Sequence, residues 1–453
     1  MDLYEVKPIF YKRTEPFELE IDVPGSKSIT NRALMMAALA DGMSVLKGVL
    51  FSDDSRHFIK CLQKLGFPVK VEEEACKVSI RGFGGKIPKQ EANIYVGSAG
   101  TAARFLTAML GCAAGTWHLD ASEQMRRRPM KPLIETLRTL GCEIICEEKE
   151  GFFPFTIRSE GISLTEASVD IGDSSQFLSA LLMAGVMLDH DFTIHISGTH
   201  GFSYIEMTMM LMKQFGAEVS SVDKKTYVIR AGSAYHSRVY QIEPDVSAAA
   251  YFYGMAAISG GRVLVNNVHS DSLQGDIKVI RAFEKMGCTA EETPKGIALK
   301  GPENGILRGI DLDMRSFSDQ ALTIAAIAPF AESNVRIRSV GHIRLQESDR
   351  MTAIVTNLRR IGVKAEIDGN DIFIYPSGGG CSSELHGARI STYEDHRVAM
   401  AFALTGMRQP GIIIEDPMCC RKTFENYFEI LDRICESKTQ KNGTCLRPRL
   451  HKV

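Results

Sequence analysis

The chain has no apolar run long enough to cross a bilayer, no excess of one charge and no paired-cysteine motif. Its longest apolar windows, such as "FLSALLMAGVML" at 177–188, fall short of the roughly 20 residues that a spanning helix needs. The 53 Lys and Arg against 55 Asp and Glu give a net charge of −2, so nothing overall favours nucleic acid or an anionic membrane, and any positive site must be local. The 11 cysteines include no C-x-x-C pair and no histidine partners at zinc spacing, and Cys419 and Cys420 are adjacent. They read as reduced thiols, with no metal. The start "MDLYEVKPIFYKR" has neither an apolar leader core nor the Arg/Ser-rich character of a transit peptide. The expectation is a cytoplasmic protein.

What is present is the composition of an ordinary globular protein, 44% hydrophobic and 24% charged, in a chain of 453 residues that is too long for one core. Self-similarity organises it. A helical segment closing on an apolar residue and glycine recurs as "FIKCLQKLG", "LIETLRTLG", "MMLMKQFG", "VIRAFEKMG" and "IVTNLRRIG". The glycines Gly66, Gly141, Gly216, Gly287 and Gly362 stand 75, 75, 71 and 75 residues apart. Each suits the left-handed residue after a helix, and each precedes a short alternating run, a polar turn and another β-rich run. In the last copy these are "VKAEI", "DGND" and "IFIYP", a hairpin with Asp368-Gly369 at its turn. A truncated copy, "FENYFEILDRI", closes the series. The pattern predicts six α/β units, too small to stand alone and grouped as two sets of three. The stretch from Glu436, with Lys438, Lys441, Arg447, Arg449 and Lys452, has no periodicity and reads as a solvated end.

The segment "VPGSKSITNRALMMAALADG", Val23–Gly42, puts Pro24-Gly25 after a strand-like "ELEIDV" and ahead of a strong helix former run, so a helix begins near Ser26 to Ser28. Its free N–H groups face whatever lies across its start. Ser28 and Arg32 share one face of the first turn and Lys27 stands beside them, which suits an anion. A nucleotide P-loop is excluded, because lysine follows Ser26 rather than glycine and no second glycine is present.

These motifs, with "GSAGTAARFL", "RRRPM", "DSSQFLSALL", "SDQALTIAA", "QESDR", "YEDHRVAMAFAL" and "DPMCCRKTFENYF" in that order from about Val23 to about Leu431, resemble the enolpyruvyl transferase family, and within it the branch acting on shikimate 3-phosphate. The resemblance implies a two-domain α/β fold, an inside-out α/β barrel of six βαβαββ-type units, three per domain, with the active site in the cleft between domains. Residues 24–243 form one domain, and residues 1–23 with 244–453 the other, the crossovers falling near Val23-Pro24 and Glu243-Pro244. It implies transfer of the enolpyruvyl group of phosphoenolpyruvate to the 5-hydroxyl of shikimate 3-phosphate, through a tetrahedral intermediate, with neither cofactor nor metal and with a monomer as precedent. Lys27 matches the lysine that touches both substrates. Ser28, Arg32, Ser174, Ser175, Gln176, Tyr204, Asp319 and Gln346 match the shikimate 3-phosphate ligands; Gly100, Arg128, Gln176, Arg350, Arg397 and Lys422 match the phosphoenolpyruvate ligands. Asp319 matches the base for the attacking hydroxyl, and Glu347 a glutamate implicated in protonation, with Lys27 a further candidate. Arginines grip carboxylate or phosphate bidentately, and glycine at 100 admits a close backbone approach.

Standing alone, the same residues have ordinary roles: Asp319 a helix cap, "ESDR" an exposed ion pair, "RRRP" a solvated run and His396 a structural histidine. The pattern also breaks. Gln346 stands where the family usually has lysine, removing a cation beside the acceptor phosphate; His342 stands where some members have asparagine, and if protonated restores part of that charge. Ser98 and Phe105 replace residues near the phosphoenolpyruvate pocket. Another phosphorylated alcohol as acceptor, and a non-catalytic sensor of anionic metabolites, are the alternatives, though two retained carboxylates add nothing to anion binding.

Overall fold

The computed structural model describes residues 2–11, 17–198, 201–376 and 384–437; the basic residues from Lys438 on lie outside them. Two compact units result, one formed by residues up to Pro24 with those from Pro244 on, the other by Gly25–Glu243. Each carries three small sheets.

The repeated unit is strand, buried helix, strand, amphipathic helix and hairpin. In the second copy it runs Glu91–Tyr95, Gly100–Gly111, Ala114–Asp120, Lys131–Thr139, Glu143–Cys146 and Phe155–Glu160. The first two strands pair in parallel across the buried helix, and the closing hairpin adds antiparallel strands beside them. All five predicted glycines have positive φ, between 86° and 103°. The residue after each donates its N–H back five residues: Phe67 to Leu62, Cys142 to Leu137, Ala217 to Met212, Cys288 to Phe283 and Val363 to Leu358, at 2.9–3.0 Å. That bond closes the helix and turns the chain into the hairpin. In the fifth copy the two-residue loop is Gly369-Asn370, with Asp368 opposite Asp371, one residue later than predicted because Gly369 takes the first positive-φ position.

The chain supplies the leading strand of two units from a distance. Val239–Gln241 runs parallel to Asp41–Lys47 in the first unit's sheet, and Glu18–Ile21 runs parallel to Arg262–Asn266 in the fourth. The sixth sheet has three strands, Leu3–Glu5, Ile413–Glu415 and Arg389–Ile390, the N-terminal strand replacing the hairpin that this copy lacks.

Helices occupy the interior and sheets the outside. Lys27–Leu39, Gly100–Gly111 and Gln176–Gly185 in one unit are buried almost throughout, as are Val246–Ser259, Ala321–Ile327 and His396–Arg408 in the other. Past their polar starts their sequences are mostly apolar, so most of each helix is withdrawn from water. Within its own unit Gly100–Gly111 packs on both of its companions, and the second trio packs likewise. Small residues permit this. A methyl group on Gly82 would stand 2.1 Å from the Ala40 carbonyl oxygen and 2.6 Å from that of Ala37, at the C-terminal end of Lys27–Leu39.

Two glycines therefore separate backbone strain from packing. Gly141 (φ 103°) has open space where a methyl would go, so Gly141→Ala costs about 1–2 kcal/mol from its left-handed backbone alone. Gly82→Ala drives a methyl into backbone carbonyls and lowers the melting temperature more. Equal melting temperatures for the two variants would contradict this packing.

Candidate active site

The buried helices have polar first turns, and in each unit these turns meet. In the Gly25–Glu243 unit, Ser26 caps Lys27–Leu39, its Oγ accepting from Ile29 N–H at 3.4 Å. Asn31 Nδ2 donates to Thr101 Oγ1 at 2.5 Å, joining the first helix to the second. Arg104 Nη1 donates to the Gly100 carbonyl and to Gln176 Oε1, both at 3.1 Å, joining the second to the third. None of the three helices has an acidic residue in its first turn. Three helix starts thus converge with no acidic residue in any of their first turns, a surface that favours anions.

Arg32 lies at this junction. It is 1% exposed; Nε donates to Thr208 Oγ1 at 2.7 Å and Nη1 to the Ser28 carbonyl at 2.9 Å. Its guanidinium sits 5.2 Å from the centre of the Phe105 ring. No carboxylate pairs with it among the described residues. Burial lowers its pKa to about 10, against an opposing influence from Tyr204, so it stays protonated at neutral pH. Arg128 lies over Gly100, where a methyl would come within 2.6 Å of its Nη1, and its Nε is buried without a partner. Lys27 Nζ is 3.5 Å from Asp54 Oδ2. Ser174 Oγ accepts from Gln176 N–H at 3.2 Å, and Ser175 precedes the third buried helix. The Tyr204 carbonyl accepts from Thr208 Oγ1 at 2.7 Å, tying this segment to Arg32.

The second unit is organised around a paired cation. Arg350, 1% exposed, donates through Nη1 to Asp319 Oδ1 at 3.0 Å, through Nη2 to Glu347 Oε2 at 2.7 Å and through Nε to Asp395 Oδ2 at 2.8 Å. Arg397 Nη2 reaches Asp319 Oδ2 at 2.8 Å, and Lys422 Nζ stands 3.9 Å from Glu347 Oε1. Burial alone pulls the Arg350 guanidinium down, but Asp395, Glu347 and Asp319 outweigh it and raise its pKa. Three cations face three carboxylates here, whereas among the described residues Arg32 and Arg128 in the other unit pair with none.

The ordinary roles fail for three of the four motifs. Asp319 caps no helix; its carboxylate is divided between two arginines. The Glu347–Arg350 pair is buried rather than exposed. Within "RRRP", Arg126 and Arg127 are surface ion-pairing residues, but Arg128 packs on Gly100. His396 is 1% exposed at the start of a buried helix, as a structural histidine would be.

One expectation is corrected. His342 Nε2 is hydrogen-bonded to Ser318 Oγ at 2.7 Å, and burial lowers its pKa, so it is neutral at neutral pH and does not restore the charge absent at Gln346. Phe105 lies against Arg32. Gln346 itself ends the turn Gly341–Leu345 and is half-buried next to Glu347.

Sequence reasoning missed Asp395, Arg104, Asn31 and Thr208. A charge within an otherwise apolar helix marks Arg104, and Asp395 caps the helix after it, accepting from Arg397 N–H at 2.9 Å. Neither signal reveals a distant partner. Among the described residues no group of three or more His, Cys, Asp or Glu is placed to hold a metal ion, and no helix is long and apolar enough to cross a membrane.

Residues 12–431 match the family described as EPSP synthase (3-phosphoshikimate 1-carboxyvinyltransferase). The chain belongs to the EPSP synthase family. A relative from Trichormus variabilis named 3-phosphoshikimate 1-carboxyvinyltransferase is 45% identical over 414 residues, 91% of this chain and 95% of the relative. One from Halalkalibacterium halodurans, named 3-phosphoshikimate 1-carboxyvinyltransferase 2, is 38% identical over 435 residues, 95% of each chain. An EPSP synthase structure from Acinetobacter baumannii shares the fold, with a TM-score of 0.78 at 24% identity over 95% of this chain and 98% of that one.

In this EPSP synthase family member, removing the cation at the centre of three buried carboxylates should be costly. Arg350→Met lowers unfolding free energy by about 3–5 kcal/mol near pH 8. Stranded carboxylates hold protons more tightly in the folded than in the unfolded chain, so the deficit grows as pH rises above their unfolded range and shrinks towards pH 4. Denaturant titrations at the two pH values check this; a deficit independent of pH contradicts it.

Proposed function

We infer that this protein transfers the enolpyruvyl group of phosphoenolpyruvate to the 5-hydroxyl of shikimate 3-phosphate and releases inorganic phosphate, a step of aromatic biosynthesis. The observation that carries this reading is Arg32: a fully buried guanidinium that pairs with no carboxylate among the described residues, at a convergence of three helix starts. A buried cation without a counter-ion is costly unless a ligand supplies the anion. Both substrates are of that kind, each bearing a carboxylate and a phosphate whose second pKa is about 6.

In this reading Lys27, Ser28, Arg32, Ser174, Ser175, Gln176, Tyr204 and Gln346 hold the acceptor, Arg32 taking one of its anionic groups. Lys27, the Gly100 backbone, Gln176, Arg128, Arg350, Arg397 and Lys422 hold phosphoenolpyruvate. Asp319 also contacts the acceptor and takes the proton of the 5-hydroxyl as its oxygen adds to C2 of phosphoenolpyruvate. Glu347, with Lys27, delivers a proton to the methylene carbon. The tetrahedral adduct then loses phosphate and a proton from the new methyl group, which restores the double bond. Cations held in place before reaction stabilise the charge that develops on the departing phosphate. Asp319 and Glu347 are each bound to Arg350, which aims both carboxylates but also restrains their proton affinity.

The cytoplasmic monomer expected from the sequence belongs to the same proposal, and size-exclusion chromatography with light scattering should give a mass near 50 kDa. Phosphate release from phosphoenolpyruvate is the direct assay, with shikimate 3-phosphate compared against a panel of other phosphorylated alcohols. Release should depend on shikimate 3-phosphate, and Lys27→Met should reduce kcat at least about 100-fold in a variant that still folds, its melting temperature lowered by loss of the Asp54 partner. Release with a different acceptor, or wild-type turnover in Lys27→Met, would refute the assignment.

A further inference from the structure

Beside the turn that carries Asp319 lies a carboxyl group to which the reaction above gives no task. Asp276, in the short turn Gly275–Lys278, is 6% exposed. Its Oδ2 accepts two hydrogen bonds, one from Ser247 Oγ at the start of Val246–Ser259 and one from Gln320 Nε2 at 3.1 Å. Gln320 directly follows Asp319, and its Oε1 accepts from Thr323 Oγ1 at 3.2 Å, so the amide is fixed at both ends. The charged groups acting on Asp276 are Asp319, from the turn Arg315–Gln320, and Arg397, from His396–Arg408. At the neighbouring helix start Asp245 accepts from Ala248 N–H at 3.0 Å, and on the turn of Asp276 itself Lys278 extends to Ser316 Oγ at 3.2 Å.

Asp319 is bound by Arg350 at 3.0 Å and Arg397 at 2.8 Å. Two cations at that range favour the ionised carboxylate and so weaken it as a base. An anion nearby has the opposite effect. We propose that Asp276 is a positioning residue for the transfer reaction: its buried carboxylate fixes the Gln320 amide beside Asp319 and, through its negative charge, keeps Asp319 basic between Arg350 and Arg397. The proposal rests on the assignment of Asp319 as the base. Burial, followed by the like charge of Asp319, raises the Asp276 carboxyl to about 6, so its charge appears as pH rises through that value.

Asp276→Asn tests the charge alone, because both hydrogen bonds end on one oxygen and an amide carbonyl accepts both. With both substrates saturating, the ratio of wild-type to Asp276→Asn kcat, in which ionisation of the substrate phosphates cancels, should rise through pH 6 from about 1 to about three- to tenfold at pH 8. A ratio that stays constant with pH, at 1 or at a higher value, overturns the proposal, since a purely structural role lowers kcat by the same factor at every pH. Melting gives an independent check. A carboxyl whose pKa is raised by folding destabilises the native state above that pKa, so Asp276→Asn should melt no lower than wild type at pH 8, with the difference gone by about pH 4. Lower melting of the variant at pH 8 also overturns the proposal. A wild-type chain that releases no phosphate at any pH instead refutes the functional reading, and this inference with it.

Discussion

A helix buried on every side must still satisfy the N–H groups of its first turn, and that constraint shapes this protein. Each unit buries three such helices and brings their first turns together, so their polar groups gather at one place. Ser26, Asp245 and Asp395 accept from first-turn N–H groups, while the side-chain bonds Asn31–Thr101, Arg104–Gln176 and Ser247–Asp276–Gln320 tie the helix starts to one another. The apolar interior and the polar site are two ends of the same helices. Changing the helix starts therefore alters chemistry with little effect on the core, whereas changing their bodies alters stability.

The two trios solve their electrostatics differently. Around Arg350 the charges balance internally, with every carboxylate of the cluster held by a cation. Around Arg32 they do not, and the guanidinium relies on a hydroxyl, a carbonyl and the face of Phe105. An unbalanced buried charge weakens the empty protein and strengthens anion binding, so stability is given up locally for affinity.

Much of this was legible in the sequence. The glycine spacing near 75 residues marked the helix ends, because a left-handed residue there has few alternatives to glycine, and the alternating runs marked the hairpins. The helix start at Lys27 followed from Pro24-Gly25 and Ser26. Pairings over long separations were not legible: Asp395 with Arg350 is 45 residues away, and Arg104 with Gln176 is 72. Nor was burial of a single polar group. His342 was read as a source of positive charge, but its contact with Ser318 and its removal from water keep it neutral. The Gly369-Asn370 loop shows the same limit at short range, since Asp368-Gly369 and Gly369-Asn370 are both acceptable turns and only the strand register decides between them.

The central claim is that Arg32 has no carboxylate partner among the described residues because an anionic ligand supplies the counter-charge. Calorimetric titration of shikimate 3-phosphate into wild type and Arg32→Met tests this directly. The account predicts that binding weakens at least about 100-fold in the variant, although the unliganded variant melts no lower than wild type, since an unpaired buried charge has been replaced by a side chain of similar volume. Undiminished affinity in Arg32→Met would contradict it.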